Sequence, residues 1–510
     1  MSASKQESTG QPIKKIVILG GGTAGWMTAA ALSKVFGAGF CEIELVESDS
    51  IGTVGVGEAT IPQINLFNAV LGLDENKFIK DTKATFKLGI EFADWGKIGD
   101  SYIHPFAEYG TQIDNLPFYH YWKRLQLLGK GSDLGDYSLN VQAAYNNLFM
   151  RPTTLKNSPL SKIAYAFHFD AGLYAKTLRE YAEQRNVKRT EGLVKDVKQD
   201  PDNGFITELH LKDGGVVSGD FFIDCSGFKG LLIEKVLKTG FDDWSSDLPC
   251  NSAVTVASER LNPLPSYTQS TAHEAGWRWR IPLQHRTGNG YVYCDKFIDD
   301  DKAADTLLQN INGKPLNEPR LLKFTTGKRK KFWVKNCLAI GLSSGFLEPL
   351  ESTSIHFVQS AISKLLGLFP TKDFDPIVIN KFNQQLEEDF LGVKDFLVLH
   401  YNATERNDSE FWRYCQNMPI SDNLKEKIAL YKSGCRVYRE NNELFGDTSW
   451  VGVMEGQGIS AYGYNPIVDA LSEQELENKV NGIKRVIDKC LTAMGSHADY
   501  VEEICKSVKD

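Results

Sequence analysis

Several groups of residues have the types and spacing to do chemistry. Gly20-x-Gly22-x-x-Gly25 is a phosphate-cradle pattern: Gly20 permits a tight turn, Gly22 lets the backbone approach a pyrophosphate, and Gly25 lets a helix pack on a strand. Thr23 and Ala24 sit inside that turn. Glu47, 22 residues past Gly25, is placed to hold a ribose hydroxyl pair and disfavours a 2′-phosphate. Trp277 and Trp279 are two apart in a β-like run, so their indoles share one face, which by itself reads as core packing. Glu351-Ser352-Thr353-Ser354 precedes the apolar-periodic run 355–362. Ser352 and Thr353 are good caps there, and Glu351 suits the positive end of a helix dipole. The same helix start is suited to an anion. Within 85–92, Phe86, Leu88, Ile90 and Phe92 form one face of a strand, which sends Lys87 and Glu91 toward solvent.

These groups need elements to hold them. The run Lys14-Lys15-Ile16-Val17-Ile18-Leu19 lacks alternation, as a strand buried on both faces of a parallel sheet does. The glycine motif follows, then a helix through 26–32, then the second strand Ile43-Glu44-Leu45-Val46-Glu47, which completes a β-α-β unit. Asp202-Asn203-Gly204 and Asp213-Gly214-Gly215 separate three strand-like runs between Gly192 and Ile223, so an antiparallel meander interrupts the parallel fold. Phe221-Phe222-Ile223-Asp224-Cys225-Ser226-Gly227 is a further buried strand ending in a tight turn. Helical stretches such as 381–390 and 476–494, with aromatic-rich loops between them, dominate from about residue 380.

The expected fold class is α/β: an FAD-binding doubly wound (Rossmann-like) fold with an inserted antiparallel sheet, plus a mainly helical C-terminal substrate region. Residues 1–100 and 151–380 are expected to form a discontinuous core, and 101–150 and 381–510 the substrate region. FAD is favoured over NAD because a single nucleotide unit is interrupted by a meander and no second glycine motif supplies an NAD(P)H domain.

Composition narrows the function class. The chain has 510 residues, 42% hydrophobic and 24% charged, an ordinary globular balance. A net charge of −8 argues against nucleic acid as a partner. None of the nine cysteines forms a C-x-x-C, so buried reduced thiols are expected, with neither a disulfide framework nor a metal site. The polar start MSASKQESTGQP carries no apolar signal segment, and no apolar run approaches a membrane span. A cytoplasmic protein is the expectation.

At Gly276-Trp277-Arg278-Trp279-Arg280-Ile281-Pro282 the chain resembles the flavin-dependent halogenases of the tryptophan-halogenase family, whose signature is Gly-Trp-x-Trp-x-Ile-Pro. The resemblance extends to Gly52-Thr53-Val54-Gly55-Val56-Gly57-Glu58-Ala59-Thr60-Ile61-Pro62, to Tyr165–Ala171 and to Gly345-Phe346-Leu347-Glu348-Pro349-Leu350-Glu351-Ser352-Thr353. It spans roughly residues 14–370. It implies reduced FAD, O2 and a halide acting through a flavin hydroperoxide and HOX. FAD would lie against Gly20, Gly22, Thr23, Ala24, Gly25, Glu47, Ala59, Gly341 and Ile355. Trp277 and Trp279 would form a wall between flavin and substrate, with Trp279 on the substrate side. Lys87 would be the catalytic lysine and Glu351 its carboxylate partner, with halide at Thr353 and Ser354. His104-Pro105-Phe106 fits the family's His-x-Phe, whose rings would sandwich a flat aromatic substrate. A separate NAD(P)H-dependent flavin reductase is the implied partner, and homodimerisation is left open.

Two departures bear on specificity. Many members of that family have Gly where this chain has Ser354, which touches bromide against chloride preference. The stretch Tyr431–Glu440 lacks the adjacent tyrosines that grip free tryptophan. An indole-like aromatic without an amino-acid handle is therefore expected, with bromide favoured. The competing readings are an aromatic monooxygenase on the same fold, which the indole wall opposes, and a non-catalytic FAD-binding protein. Retention of both Lys87 and Glu351 opposes the latter, since binding FAD requires neither.

Overall fold

The computed structural model describes residues 10–37, 39–51, 57–440 and 442–507. A six-stranded sheet carries the nucleotide motif. Its order is Trp333–Val334, Cys337–Ala339, Phe221–Asp224, Lys15–Leu19, Glu42–Glu47, Lys188–Glu191, parallel except for the first pair. Lys15–Leu19 is buried on both faces for a specific reason. Ile16 and Ile18 face the large core with the helix Thr23–Phe36, whereas Val17 and Leu19 pack with Ile206, Leu209, Leu211 and Val217 of the meander. Helices thus cover one face and the inserted meander Val194–Gln199, Ile206–Leu211, Val216–Ser218 covers the other. Its turns fall where Asn203-Gly204 and Asp213-Gly214 put them, with Gly204 and Gly214 at positive φ.

A second sheet has seven strands. In order they are Arg320–Lys323, Ser252–Ser258, Thr287–Tyr293, Gly276–Pro282, Thr268–His273, Gly89–Ala93 and Ser101–Pro105. The strand read from 85–92 is in fact two. Thr85–Lys87 pairs with Ala166–Phe169 in a small sheet, while Gly89–Ala93 joins the seven-stranded one. Leu88 is the bend between them, and a bend of this kind voids an alternation argument run straight across it.

The C-terminal region is helical: Pro376–Asn402 extends well beyond the expected run 381–390, and Glu473–Leu491 starts and ends three residues before the expected 476–494. The final helix His497–Ser507 packs back on the Lys87 strand. There the His497 imidazole accepts the Phe86 amide at 3.1 Å and its other nitrogen lies 3.1 Å from the Leu264 carbonyl. All nine cysteines are free, six of them buried. Among the described residues no helix is long and apolar enough to cross a membrane.

Candidate active site

The nucleotide end is built as its motif requires. The helix Thr23–Phe36 starts at Gly22 with no side-chain cap, so its first amides remain available to an anion. A Cβ on Gly22 would meet nothing within 4 Å, whereas one on Gly20 would strike the Cys225 carbonyl at 2.3 Å. Space is therefore open where a pyrophosphate belongs and closed where the turn must be tight. Glu47 lies beside Gly21, steered by Arg189 at 2.6 Å. Gly341, at φ 77°, brings its loop against Ala24, where a Cβ would come within 2.7 Å. Ile355 is buried in the first turn of the helix Ser354–Gly367. These residues fit FAD. Of the loop 52–62, residues 52–56 lie outside the described residues. Glu58–Ala59 pairs with Phe169 and His168, and so joins the nucleotide end to the Lys87 sheet.

Lys87 is wholly buried, against the solvent position that alternation gave it. Its strand is covered on one side by the strand Ala166–Phe169 and on the other by the C-terminal helix. Nζ donates to the Thr60 carbonyl at 3.0 Å and to Ser352 Oγ at 2.8 Å, and lies 5.1 Å from the Phe106 ring centroid. Burial pushes its pKa down to about 7, opposed by the Glu351 charge. Ser352 is consequently no cap: it sits at φ 60°, in the left-handed region, with its hydroxyl on Lys87. Thr353 does not cap either. Its Oγ1 is buried without a partner among the described residues at the start of the helix Ser354–Gly367, beside backbone amides that have no intrahelical acceptor. An unpartnered hydroxyl and free amides at a helix start suit a halide.

Glu351 is also wholly buried. Burial alone would raise its pKa, but His104 and then His400 overcome this and hold it at about 2. His104 Nδ1 is 3.0 Å from both carboxylate oxygens, and His400 Nε2 is 3.0 Å from Oε1. His104, expected at the substrate, holds Glu351 with its ring edge, and its ring packs near Phe396 and Phe445. His400 was not foreseen from sequence. Its Nδ1 lies 2.8 Å from the Phe396 carbonyl one turn earlier, which fixes a proton on Nδ1 and leaves Nε2 facing Glu351. The one available signal was a histidine among the apolar residues of the helix Pro376–Asn402.

Trp277 and Trp279 stand 6.0 Å apart. Trp277 Nε1 donates to Glu348 at 2.9 Å, and the Tyr401 hydroxyl donates to the same oxygen. Burial lifts the Glu348 carboxyl to about 7. Glu348, like His400, was missed in the sequence. Trp279 lies over Gly290, where a Cβ would stand 2.1 Å from the indole ring. Gly290→Ala is therefore expected to displace Trp279 and cost about 1–3 kcal/mol of stability. Urea unfolding and the Trp emission maximum check this; an unchanged emission spectrum and midpoint would refute it.

The tryptophan halogenase family profile matches residues 15–473. A tryptophan 6-halogenase of Streptomyces albogriseolus is 35% identical, the match covering 96% of this chain and 98% of that one. Among solved structures, a flavin-dependent halogenase of Xanthomonas campestris is 44% identical with a TM-score of 0.94, over 97% of this chain and 99% of its own. A flavin-dependent halogenase of Brevundimonas sp. BAL3 is 41% identical with a TM-score of 0.93, over 96% and 99%.

Proposed function

Because this chain belongs to the tryptophan halogenase family and is a flavin-dependent halogenase, we propose that it halogenates an electron-rich, indole-like aromatic with Lys87 and Glu351 as its catalytic pair. The observation that carries this reading is one buried site in which Lys87 Nζ is held by Thr60 and Ser352 while Glu351, the next residue, is held by His104 and His400. Binding FAD needs none of these contacts, which disfavours a non-catalytic flavoprotein.

Gly20, Gly22, Thr23, Ala24 and Gly25 would hold the pyrophosphate of FAD, Glu47 the ribose, and Ala59, Gly341 and Ile355 the flavin ring. Bound there in reduced form, delivered by a separate NAD(P)H-dependent reductase, FAD would supply with O2 the oxidising power that converts halide to an oxidised halogen. The indole wall of Trp277 and Trp279, kept in place by Glu348 and Gly290, excludes the aromatic ring from the flavin side and so disfavours hydroxylation. Two N–H groups of Lys87 are committed to Thr60 and Ser352; the remaining valence of Nζ orients the halogen donor and keeps its halogen electrophilic. Glu351 stays ionised and faces the cationic ring that forms on halogen transfer. The proton released as aromaticity returns passes to Glu351 Oε1. His400 Nε2, 3.0 Å from that oxygen, holds the carboxylate in place. His104, Phe106 and Trp279 line the substrate side.

Purified protein with FAD, a flavin reductase, NADH, bromide and indole should yield bromoindole by mass spectrometry. Hydroxylated indole in its place would favour the monooxygenase reading.

Bromide should serve at least as well as chloride. Ser354 stands at the helix start proposed for halide, where many family members have glycine; it restricts the backbone and adds a hydroxyl. Equimolar competition should give more brominated than chlorinated product, with Ser354→Gly narrowing the ratio. Dominance of chlorinated product would overturn this.

A further inference from the structure

Along the strand Gly276–Pro282 side chains alternate, so Trp277, Trp279 and Ile281 occupy one face and Arg278 and Arg280 the other. Arg278 is 9% exposed, and its Nε and Nη1 are buried without an acceptor among the described residues. Directly across the ladder lie Thr271 and Tyr291. His273, on the same face, has its ring 5.5 Å from that of Tyr291, and its buried Nε2 is equally without a partner. The Tyr291 hydroxyl accepts the Ala275 amide at 3.3 Å and so keeps its own proton.

The surrounding charge is positive. Burial, then Arg280, pushes the Arg278 guanidinium down to about 10. Burial, then Arg278 and Arg406, pushes His273 to about 4, against the opposing charge of Asp94. The nearby carboxylates are engaged elsewhere. Asp408 holds Arg406 at 2.8 Å, Asp94 accepts the Gly99 amide at 2.7 Å, and Glu274 lies 3.2 Å from Lys302. A buried guanidinium and a buried imidazole nitrogen without partners among the described residues are costly, and both costs fall if one anion takes up the guanidinium N–H groups and an Nε2–H together.

We propose that Arg278, His273 and Tyr291 form a binding site for a small monovalent anion on the reverse of the strand that carries Trp277 and Trp279. A neutral His273 donating from Nε2, the Tyr291 hydroxyl and one uncompensated guanidinium match a single negative charge. The site lies on the opposite face of the strand from the indole wall. Its occupancy stabilises that strand without touching the reacting groups.

Crystals of the protein soaked in bromide should show an anomalous peak within hydrogen-bond distance of Arg278 Nε. In solution, bromide and formate should each raise the Tm of the wild type more than that of Arg278→Met, by about 1 °C or more at saturating anion. Bromide bound at the Thr353 helix start contributes equally to both proteins and cancels in the comparison. If Arg278→Met does not fold, His273→Phe and Tyr291→Phe provide the same comparison. No peak at Arg278, with ordered water on its nitrogens, would overturn the proposal. So would a peak without an Arg278-dependent shift in solution, which would mean binding at crystal concentration only.

Discussion

Lys87→Met is expected to lose halogenation by at least about 100-fold and, at the same time, to make the protein harder to unfold at pH 7. The first half follows from the role of Nζ; the second from what it costs to bury. Holding the Lys87 pKa at about 7 against an ordinary 10.5 costs on the order of 4 kcal/mol at pH 7. Losing its two hydrogen bonds offsets about 1–2 kcal/mol of this, so the net gain is about 2–3 kcal/mol. The sign has a pH signature. Between pH 7 and 10.5 the unfolded chain binds this proton and the folded chain does not, so this lysine makes the wild type more stable as pH rises through that window. The advantage of Lys87→Met is therefore full below pH 7 and should shrink by about 2 kcal/mol between pH 7 and pH 9. Denaturant titrations of both proteins at the two pH values, alongside FAD retention and bromoindole formation, test the whole chain of reasoning. Near wild-type turnover in the variant would remove Lys87 from the mechanism. A stability difference that did not vary with pH would mean that the amine is not desolvated.

Indole or a simple substituted indole should be halogenated with a kcat/KM on the order of tenfold or more above that of free L-tryptophan. A zwitterion brings two charges, and burying either unpaired costs several kcal/mol. The groups that could have served are committed elsewhere. Tyr431, buried in the helix Asp422–Gly434, gives its hydroxyl to Glu455, and Glu455 also takes Lys123 Nζ at 2.7 Å. Tyr438 is 64% exposed and forms no pair with Tyr431. With only ring contacts to orient the substrate, attack should follow intrinsic reactivity, at C3 of indole. Competition kinetics and NMR of the product decide both points. Faster, single-position halogenation of the benzene ring of L-tryptophan would show that another segment binds the zwitterion.

What could be read from sequence was what is local. The β-α-β unit, its glycines, Glu47 and the Asn-Gly and Asp-Gly turns of the meander depend on neighbours a few residues away, and each lies where its pattern puts it. The resemblance carried Lys87, Glu351 and the tryptophan pair, none of which their own strands or turns would have singled out. What pattern could not supply was burial created by distant chain. Lys87 was assigned to solvent because the bend at Leu88 and the covering strand Ala166–Phe169 leave no mark on the run 85–92. Ser352 and Thr353 have the composition of caps, yet Lys87 takes one hydroxyl and the other is left unpartnered. His400 was invisible because its meaning comes from Glu351, on another element.

The contact between His497 and the Phe86 amide ties the strand of the reactive lysine to a residue 411 positions later. During synthesis on the ribosome, that strand leaves the tunnel long before its clamp is translated. The nucleotide-binding unit, whose pairings are nearer in sequence, can form while translation continues. The lysine pocket cannot close until residue 497 has emerged. A nascent chain is thereby able to fold around the cofactor half before it owns a working halogenation chamber, and a ribosome that stalls before that residue releases a protein without one.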